Sequence, residues 1–301
     1  MSMNKLYDTP KCKDLIYDIG MHKGEDSIFY LQKGFRVTAF EADPDLARLC
    51  RNRLKEYIDR GEVTIVEGAI TNLDSIETGQ KVQFYKNLDD SVWGTICVDW
   101  AERNTRLCTS SKLLEVNVID FVSILQQHGI PYYMKIDIEG VDMVCVNVLK
   151  LFRERPDYIS IESSKTRFTN IKREIDALVE LGYDSFQAVE QSSIPYSQSP
   201  PYPAKEGSYV DQAFEFGSSG LFGSEIGGRW KSKREILRQY RVIFLAYYLI
   251  GDDGIMNQWK FRGSSTIRAL TNSFLKLLTK TTVPGWYDTH ARHSSVDAGK
   301  V

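Results

Sequence analysis

Between residues 14 and 70 the sequence alternates short apolar runs with amphipathic stretches, and this alternation restricts the fold more than any other feature. Leu15-Ile16-Tyr17-Asp18-Ile19 is an apolar run that ends at Gly20; after a polar turn come Ile28-Phe29-Tyr30-Leu31, with Gly34 as a helix stop. Phe35 to Phe40 reads as a second strand. Asp43-Pro44 then starts a helix, because the carboxylate can cap it and proline suits the first helical position. Leu46, Leu49, Cys50, Leu54 and Tyr57 recur at helical spacing up to Gly61, and Val63-Thr64-Ile65-Val66 is a third strand. Strand, helix, strand, helix, strand at this spacing predicts a parallel sheet wrapped by right-handed crossovers.

The same rhythm returns after residue 119. Asp120 can cap a helix carrying Phe121, Ile124 and Leu125, which Gly129 stops. Tyr132 to Ile136 is a fourth strand, Tyr158 to Ile161 a fifth and Ser185 to Val189 a sixth, with helices over Val141 to Leu151 and from Asn170 to Gly182 between them. Residues 81–118 break the pattern: Val82 to Tyr85 and Thr95 to Val98 read as a hairpin-like insertion around the polar turn Asn87 to Ser91. Three divisions follow: an α/β core over 1–190, a Pro/Gly/aromatic-rich acceptor-side loop or lid over 191–232, and a helical extension with a polar tail over 233–301. In the last, Lys233 to Ile250 is a helix apolar enough to pack in the core or against a second copy, and the chain after His290 reads as tail.

Composition excludes several classes of function. Lys+Arg 38 against Asp+Glu 40 gives a formal charge of −2, without the cationic excess that binding nucleic acid by bulk electrostatics requires. A hydrophobic fraction of 42% is incompatible with global disorder. Cys12, Cys50, Cys97, Cys108 and Cys145 are scattered with no C-x-x-C pair, so neither a disulfide framework nor a zinc ribbon is expected, and the pattern suits a reducing compartment. Residues 1–8 lack a secretory apolar region, and the apolar run Val242 to Ile250 is about half a bilayer span; a cytoplasmic chain with no membrane span is the expectation.

The chemistry gathers at strand ends. The first strand runs into Asp18-Ile-Gly-Met-His-Lys-Gly-Glu-Asp-Ser27, where a glycine turn lets backbone approach a ligand at a helix start. Gly20-x-x-x-Gly24 is not the dinucleotide fingerprint, and Glu25 and Asp26 would repel a pyrophosphate, so the ligand expected is cationic or zwitterionic. S-adenosylmethionine (SAM), with an ammonium and a sulfonium, meets that description better than a nicotinamide cofactor. Glu41 ends the second strand, where a carboxylate can accept both ribose hydroxyls, and Gly68-Ala69 after the third strand leaves room for a flat adenine. Asp137 and Glu139 follow the fourth strand, at the edge where open α/β sheets bind ligands. A carboxylate there can take the proton of an alcohol, which hardly ionises at neutral pH.

Asp18 to Ser27, Phe40-Glu-Ala-Asp-Pro44, Val118-Ile-Asp-Phe121 and above all Met134-Lys-Ile-Asp-Ile-Glu-Gly-Val-Asp142 resemble the FkbM family of SAM-dependent methyltransferases, in the family's order over about residues 14 to 165. His22 departs from the Asn of many relatives, and Ser218 to Phe222 with Trp286 to His290 resembles only a subset of them. The resemblance implies a class I (Rossmann-like) methyltransferase fold, a seven-stranded, mostly parallel sheet with an antiparallel last strand and helices on both faces. It also implies O-methylation of a hydroxyl on a sugar, polyketide or similar metabolite. Asp18, Gly20, His22 and Gly24, with Ser27 in the same turn, would shape the pocket for the methionine end of SAM, Glu41 would hold the ribose, and Gly68 and Ala69 would lie near the adenine. Asn87 would face the methyl donor, Asp137 and Glu139 are the catalytic candidates, and His290 would serve as a base were the tail to fold over the site. No metal site is assigned; Glu162 is the residue that could join Asp137 around a divalent ion. Two rival readings are a nicotinamide-dependent oxidoreductase, which calls for the glycine absent here, and a non-catalytic SAM-binding module, which has no reason to keep Asp18, Glu41 and Asp137 together.

Overall fold

A computed structural model describes residues 6–71, 80–164, 167–250, 255–258, 263–279 and 286–298. Its strands are β1 (Lys11–Ile19), β2 (Arg36–Glu41), β3 (Val63–Glu67), β4 (Ala69–Ile70), β5 (Lys81–Asn87), β6 (Ser111–Ile119), β7 (Ile130–Ile136), β8 (Tyr158–Glu162), β9 (Tyr183–Glu190) and β10 (Tyr287–His293). Its helices are α1 (Glu25–Gln32), α2 (Pro44–Arg53), α3 (Lys55–Asp59), α4 (Val98–Arg106), α5 (Phe121–His128), α6 (Met143–Leu149), α7 (Phe168–Glu180), α8 (Ile194–Ser197), α9 (Lys233–Ile250), α10 (Ser264–Thr279) and α11 (Ser295–Ala298). Among the described residues no helix is long and apolar enough to cross a membrane.

Seven strands form one sheet in the order β3-β2-β1-β7-β8-β10-β9. All neighbours are parallel except β10, which runs antiparallel to both β8 and β9. This is the class I methyltransferase arrangement that the motifs imply. The parallel strands read as near-continuous apolar runs because helices bury both faces; in β7 only Lys135 interrupts the run. Helix starts are set by side-chain caps: Asp43 accepts from the Asp45 N–H at 2.8 Å, and Asp120 from the Ser123 N–H at 3.1 Å.

The structure differs from the sequence expectation in three places. β5 pairs antiparallel with β6 from Lys81↔Asn117 to Asn87↔Ser111, so its partner is the 111–119 stretch and not Thr95 to Val98. Thr95 makes only a bridge to Tyr85; its hydroxyl accepts from the Cys97 N–H at 2.9 Å and turns the chain into α4. The expected tail supplies β10, an inner strand of the sheet, so residues 1–190 do not complete the sheet by themselves. Its polar sequence conceals this, but Thr289 is satisfied internally by Ser163 (2.7 Å) and the Tyr240 hydroxyl (2.6 Å) from α9. Residues 299–301 of that tail lie outside the described residues.

The third difference is the 191–232 stretch, much of which is core. Phe222 is fully buried, stacks on Tyr133 at 5.0 Å and meets Tyr30 edge-on at 5.1 Å, while Phe214 packs edge-on against Phe29. Each such ring buried stabilises the fold by about 1.5–3 kcal/mol. Polar anchors fix the stretch as well: Lys33 pairs with Glu225 at 3.0 Å, both fully buried, and the Tyr132 hydroxyl donates to Glu206. Tyr196, Tyr202 and Phe216 remain exposed.

Candidate active site

A crevice of about 870 Å³, its open mouth included, runs along the carboxyl ends of β1, β2 and β7, the edge where open α/β sheets bind ligands. Its first wall is the turn after β1. The N–H groups of Gly20 and Met21 donate to the Phe40 carbonyl (3.1 and 3.0 Å), and the Asp137 N–H donates to the Ile19 carbonyl (2.9 Å). Gly20 has φ +84°, and a Cβ there would lie 1.8 Å from the Asp137 carbonyl oxygen. Only glycine allows these two loops to approach so closely.

Glu41 lines the crevice and accepts from the backbone N–H groups of His22 (2.9 Å) and Asp43 (2.8 Å), one to each oxygen. A carboxylate has about four lone-pair sites, so acceptor capacity remains for a ligand. Burial pushes its pKa up to about 7, against the two backbone hydrogen bonds that favour the ionised form. His22, at φ +52°, hydrogen-bonds through Nε2 to Ser91 at 2.8 Å and so ties the first turn to the Ser91–Trp93 turn across the mouth. Gly68 and Ala69 line the opposite end, and a Cβ on Gly68 would lie 2.6 Å from the Asn117 carbonyl oxygen.

Behind the first wall is a buried charge cluster. Lys135 contacts Asp18 at 3.1 Å and Asp26 at 3.4 Å and donates to the Gly20 carbonyl at 3.0 Å. Asp18 also accepts from Ser27 at 2.6 Å, and Asp26 accepts from the Ser219 N–H at 2.9 Å. Burial, followed by the neighbouring Asp18, raises the Asp26 pKa, whereas the two acids hold the Lys135 ammonium charged despite its burial. With one cation between two acids, the cluster has one formal negative charge in excess.

Past β7, Asp137 and Glu139 line the crevice, and with Glu162 at the end of β8 they offer ligand atoms within 4.8 Å of one another. All three have partners of their own. The loop that carries them is set by Asp142, which accepts from the N–H groups of Ile138 (3.0 Å) and Gly140 (3.2 Å). The Thr95 hydroxyl donates to the Glu139 carbonyl at 2.7 Å and ties the loop to the 94–97 segment.

The sequence candidates therefore divide into two groups. Gly20, His22, Glu41, Gly68, Ala69, Asp137 and Glu139 line one crevice. Asp18 and Ser27 lie one layer behind it, and Gly24 (φ +82°) is the N-cap of α1, so these three support the wall without facing the ligand space. Two expectations are corrected. Asn87 does not face the crevice: its amide donates to Thr109 at 2.8 Å and its oxygen accepts from the N–H groups of Asp89 and Asp90, which shapes the turn. His290 does not fold over the site but sits within β10, between Ser160 and Gln187, 1% exposed, where burial pushes its pKa down to about 3. A buried neutral imidazole locked in the sheet cannot reach a substrate as a base.

Lys135 and Asp26 were the residues sequence reasoning undervalued. A lone lysine in an otherwise apolar parallel strand was the signal, since burial of that charge requires acids beside it.

The model of the FkbM methyltransferase domain matches residues 18–185, more than half of the 301 residues, and spans every element that lines the crevice except the Gly217 segment. No curated protein matches. Among solved structures, the chain is similar to a precorrin-6y C5,15-methyltransferase from Geobacter metallireducens, with 14% identity, 63% of this chain and 73% of that one covered, and a TM-score of 0.34. It is also similar to a SAM-dependent methyltransferase from Thiobacillus denitrificans in complex with S-adenosylhomocysteine, with 10% identity, 94% and 86% covered, and a TM-score of 0.33. Likenesses this distant say nothing about the acceptor.

Proposed function

This chain belongs to the FkbM methyltransferase domain family, and on that premise we propose that it methylates a hydroxyl of a sugar, glycan or other small metabolite with SAM as donor. The observation that carries the reading is that Glu41 at the end of β2, Asp137 at the end of β7 and the 20–25 turn after β1 face one crevice. The residues fit that donor. Glu41 has acceptor capacity for a ribose diol, and Gly68, Ala69 and Ile70 line the end of the crevice that would take an adenine. Glu25, Asp26, Asp137 and Glu139 against Lys135 suit an ammonium and a sulfonium, whereas a pyrophosphate would meet four carboxylates. When bound, SAM supplies an electrophilic methyl group.

The chain's own part is positioning and proton removal. The 20–25 turn, held to β2 by backbone hydrogen bonds and to β7 by the Lys135 ammonium on the Gly20 carbonyl, orients the donor side; the 137–142 loop, pinned by Asp142 and Thr95, orients the acceptor side. Holding the acceptor oxygen in line within a water-poor site supplies much of the rate. Asp137, half-buried at the crevice, takes the hydroxyl proton.

The test is an unbiased panel of hydroxylated metabolites and oligosaccharides with methyl-labelled SAM. Label should appear as a base-stable ether; label on amines alone would overturn the O-methyl assignment. Asp137→Asn should lower turnover by about 10²-fold or more while leaving the affinity for S-adenosylhomocysteine nearly unchanged. Equal loss of both would make Asp137 a donor ligand instead.

A further inference from the structure

We propose that a second cavity, across the wall from the donor crevice, binds the methyl acceptor through an anionic group, a carboxylate or phosphate on a sugar, held by arginines at its rim; the acceptor role rests on the methyl-transfer reading above. The cavity, about 1640 Å³ with its open mouth, lies between α4, the 140–143 loop and the stretch from the end of β8 into α7. It shares its wall with the crevice: Ile96 and Glu139 line one side, their chain neighbours Cys97 and Gly140 the other.

Four guanidinium groups line this cavity, Arg103 and Arg106 from α4 and Arg167 and Arg173 at the start of α7. Elsewhere Arg36, Arg48, Arg60 and Arg229 each have a carboxylate within 2.6–2.8 Å. Among the described residues no acid makes such a pair with any of the four at the cavity. Arg103 lies over the Trp100 ring at 4.9 Å, and Arg106, Arg167 and Arg173 are exposed. Arginines from two elements, none in a direct ion pair, outnumber the two exposed acids Asp99 and Glu102 at the rim, and their planar forks match carboxylate and phosphate oxygens.

Five acids line the cavity too, Asp99 and Glu102 exposed on α4 beside the arginines and Asp142, Glu162 and Glu174 less exposed. On the floor, Asp142 accepts two loop N–H groups and is pushed up to about 7, first by burial and then by Glu162; Glu174 is pushed up to about 8, first by burial and then by Asp142. At neutral pH the floor therefore carries less negative charge than the residue count suggests. Glu162 marks the route between the two spaces, because it lines the second cavity while its carboxylate lies within 4.8 Å of Asp137 and Glu139 in the first. A sugar hydroxyl at Glu162 would lie near Asp137, and Trp100 lines the same cavity.

The test uses the full chain and calorimetric titration of glucuronate, glucose 6-phosphate and glucose, with S-adenosylhomocysteine as a separate ligand. At least one acidic probe should bind about tenfold or more tightly than glucose, and the two acidic arms distinguish carboxylate from phosphate. Arg106→Gln with Arg167→Gln should remove that preference with the S-adenosylhomocysteine affinity unchanged, which also reports that the variant folds. Acidic probes no tighter than glucose, or a preference that survives substitution of all four arginines, would overturn the proposal. Sensitivity to the arginines without any S-adenosylhomocysteine binding to the parent chain would leave an anion site and remove its acceptor role.

Discussion

Replacing Lys135 with methionine tests the buried charge cluster behind the crevice. The ammonium lies 3.1 Å from Asp18 and 3.4 Å from Asp26, with side chains at most 5% exposed, so methionine fills the space but leaves two acids facing each other without a cation. Removing one partner of a buried ion pair costs about 3–5 kcal/mol. In a chain of 301 residues, whose unfolding entropy is about 0.6 kcal/mol/K, that lowers the melting temperature by roughly 5–8 °C. The deficit should depend on pH. Without Lys135, at least one of the two acids takes up a proton in the folded state, so its folded pKa lies above the unfolded value of about 3.9. A carboxyl raised in this way gives stability that is fully present below the unfolded pKa and lost as pH rises through the folded one. Lys135→Met should therefore approach the parent near pH 4 and fall furthest behind at pH 7–8, as read by urea denaturation followed by circular dichroism. Asp26→Asn added to Lys135→Met should recover much of the loss at neutral pH. A Lys135→Met chain within about 0.5 kcal/mol of the parent, or a deficit equal at every pH, would refute the cluster as described.

Two further predictions concern the crevice walls. Glu41, pushed up to about 7 by burial, must ionise to accept ribose hydroxyls, so donor binding lowers its pKa and releases a proton. Affinity for S-adenosylhomocysteine should rise from pH 6 to 8 and level off above, and Glu41→Gln should weaken binding roughly ten- to a hundredfold and flatten the profile; calorimetry that finds no pH dependence in the parent would contradict this. Gly20→Ala places a Cβ 1.8 Å from the Asp137 carbonyl oxygen at φ +84°, whereas Gly61→Ala, at φ +72°, meets nothing within 4 Å. The first should cost more than the roughly 1–3 kcal/mol of backbone strain that both share and should weaken donor binding; the second should leave binding intact, and equal effects in denaturation and titration would count against the close approach of the two loops.

The parallel half of the fold was legible because burial on both faces writes itself into the sequence as apolar runs between capped helices, as around Asp43-Pro44. Strand-end acids were legible for a related reason: Glu41 and Asp137 follow such runs directly. β10 was not, because Tyr-Asp-Thr-His-Ala-Arg-His has a polar sequence and its burial depends on Ser163 and Tyr240, far away in the chain. The same limit hid the partner of β5 and the burial of Phe222 in a Pro/Gly-rich stretch, both decided by packing over long sequence separations. His290 illustrates the consequence, since a histidine in a presumed tail looks available to a substrate and a histidine inside a sheet is not.

The central claim is that the crevice at the carboxyl edge of β1, β2 and β7 holds the methyl donor. A crystal structure of the chain grown with S-adenosylhomocysteine tests it most directly. The ribose hydroxyls should lie on Glu41, the adenine beside Gly68 and Ala69, and the sulfur towards Asp137. A ligand bound elsewhere, with Glu41 still bonded only to the N–H groups of His22 and Asp43, would contradict it.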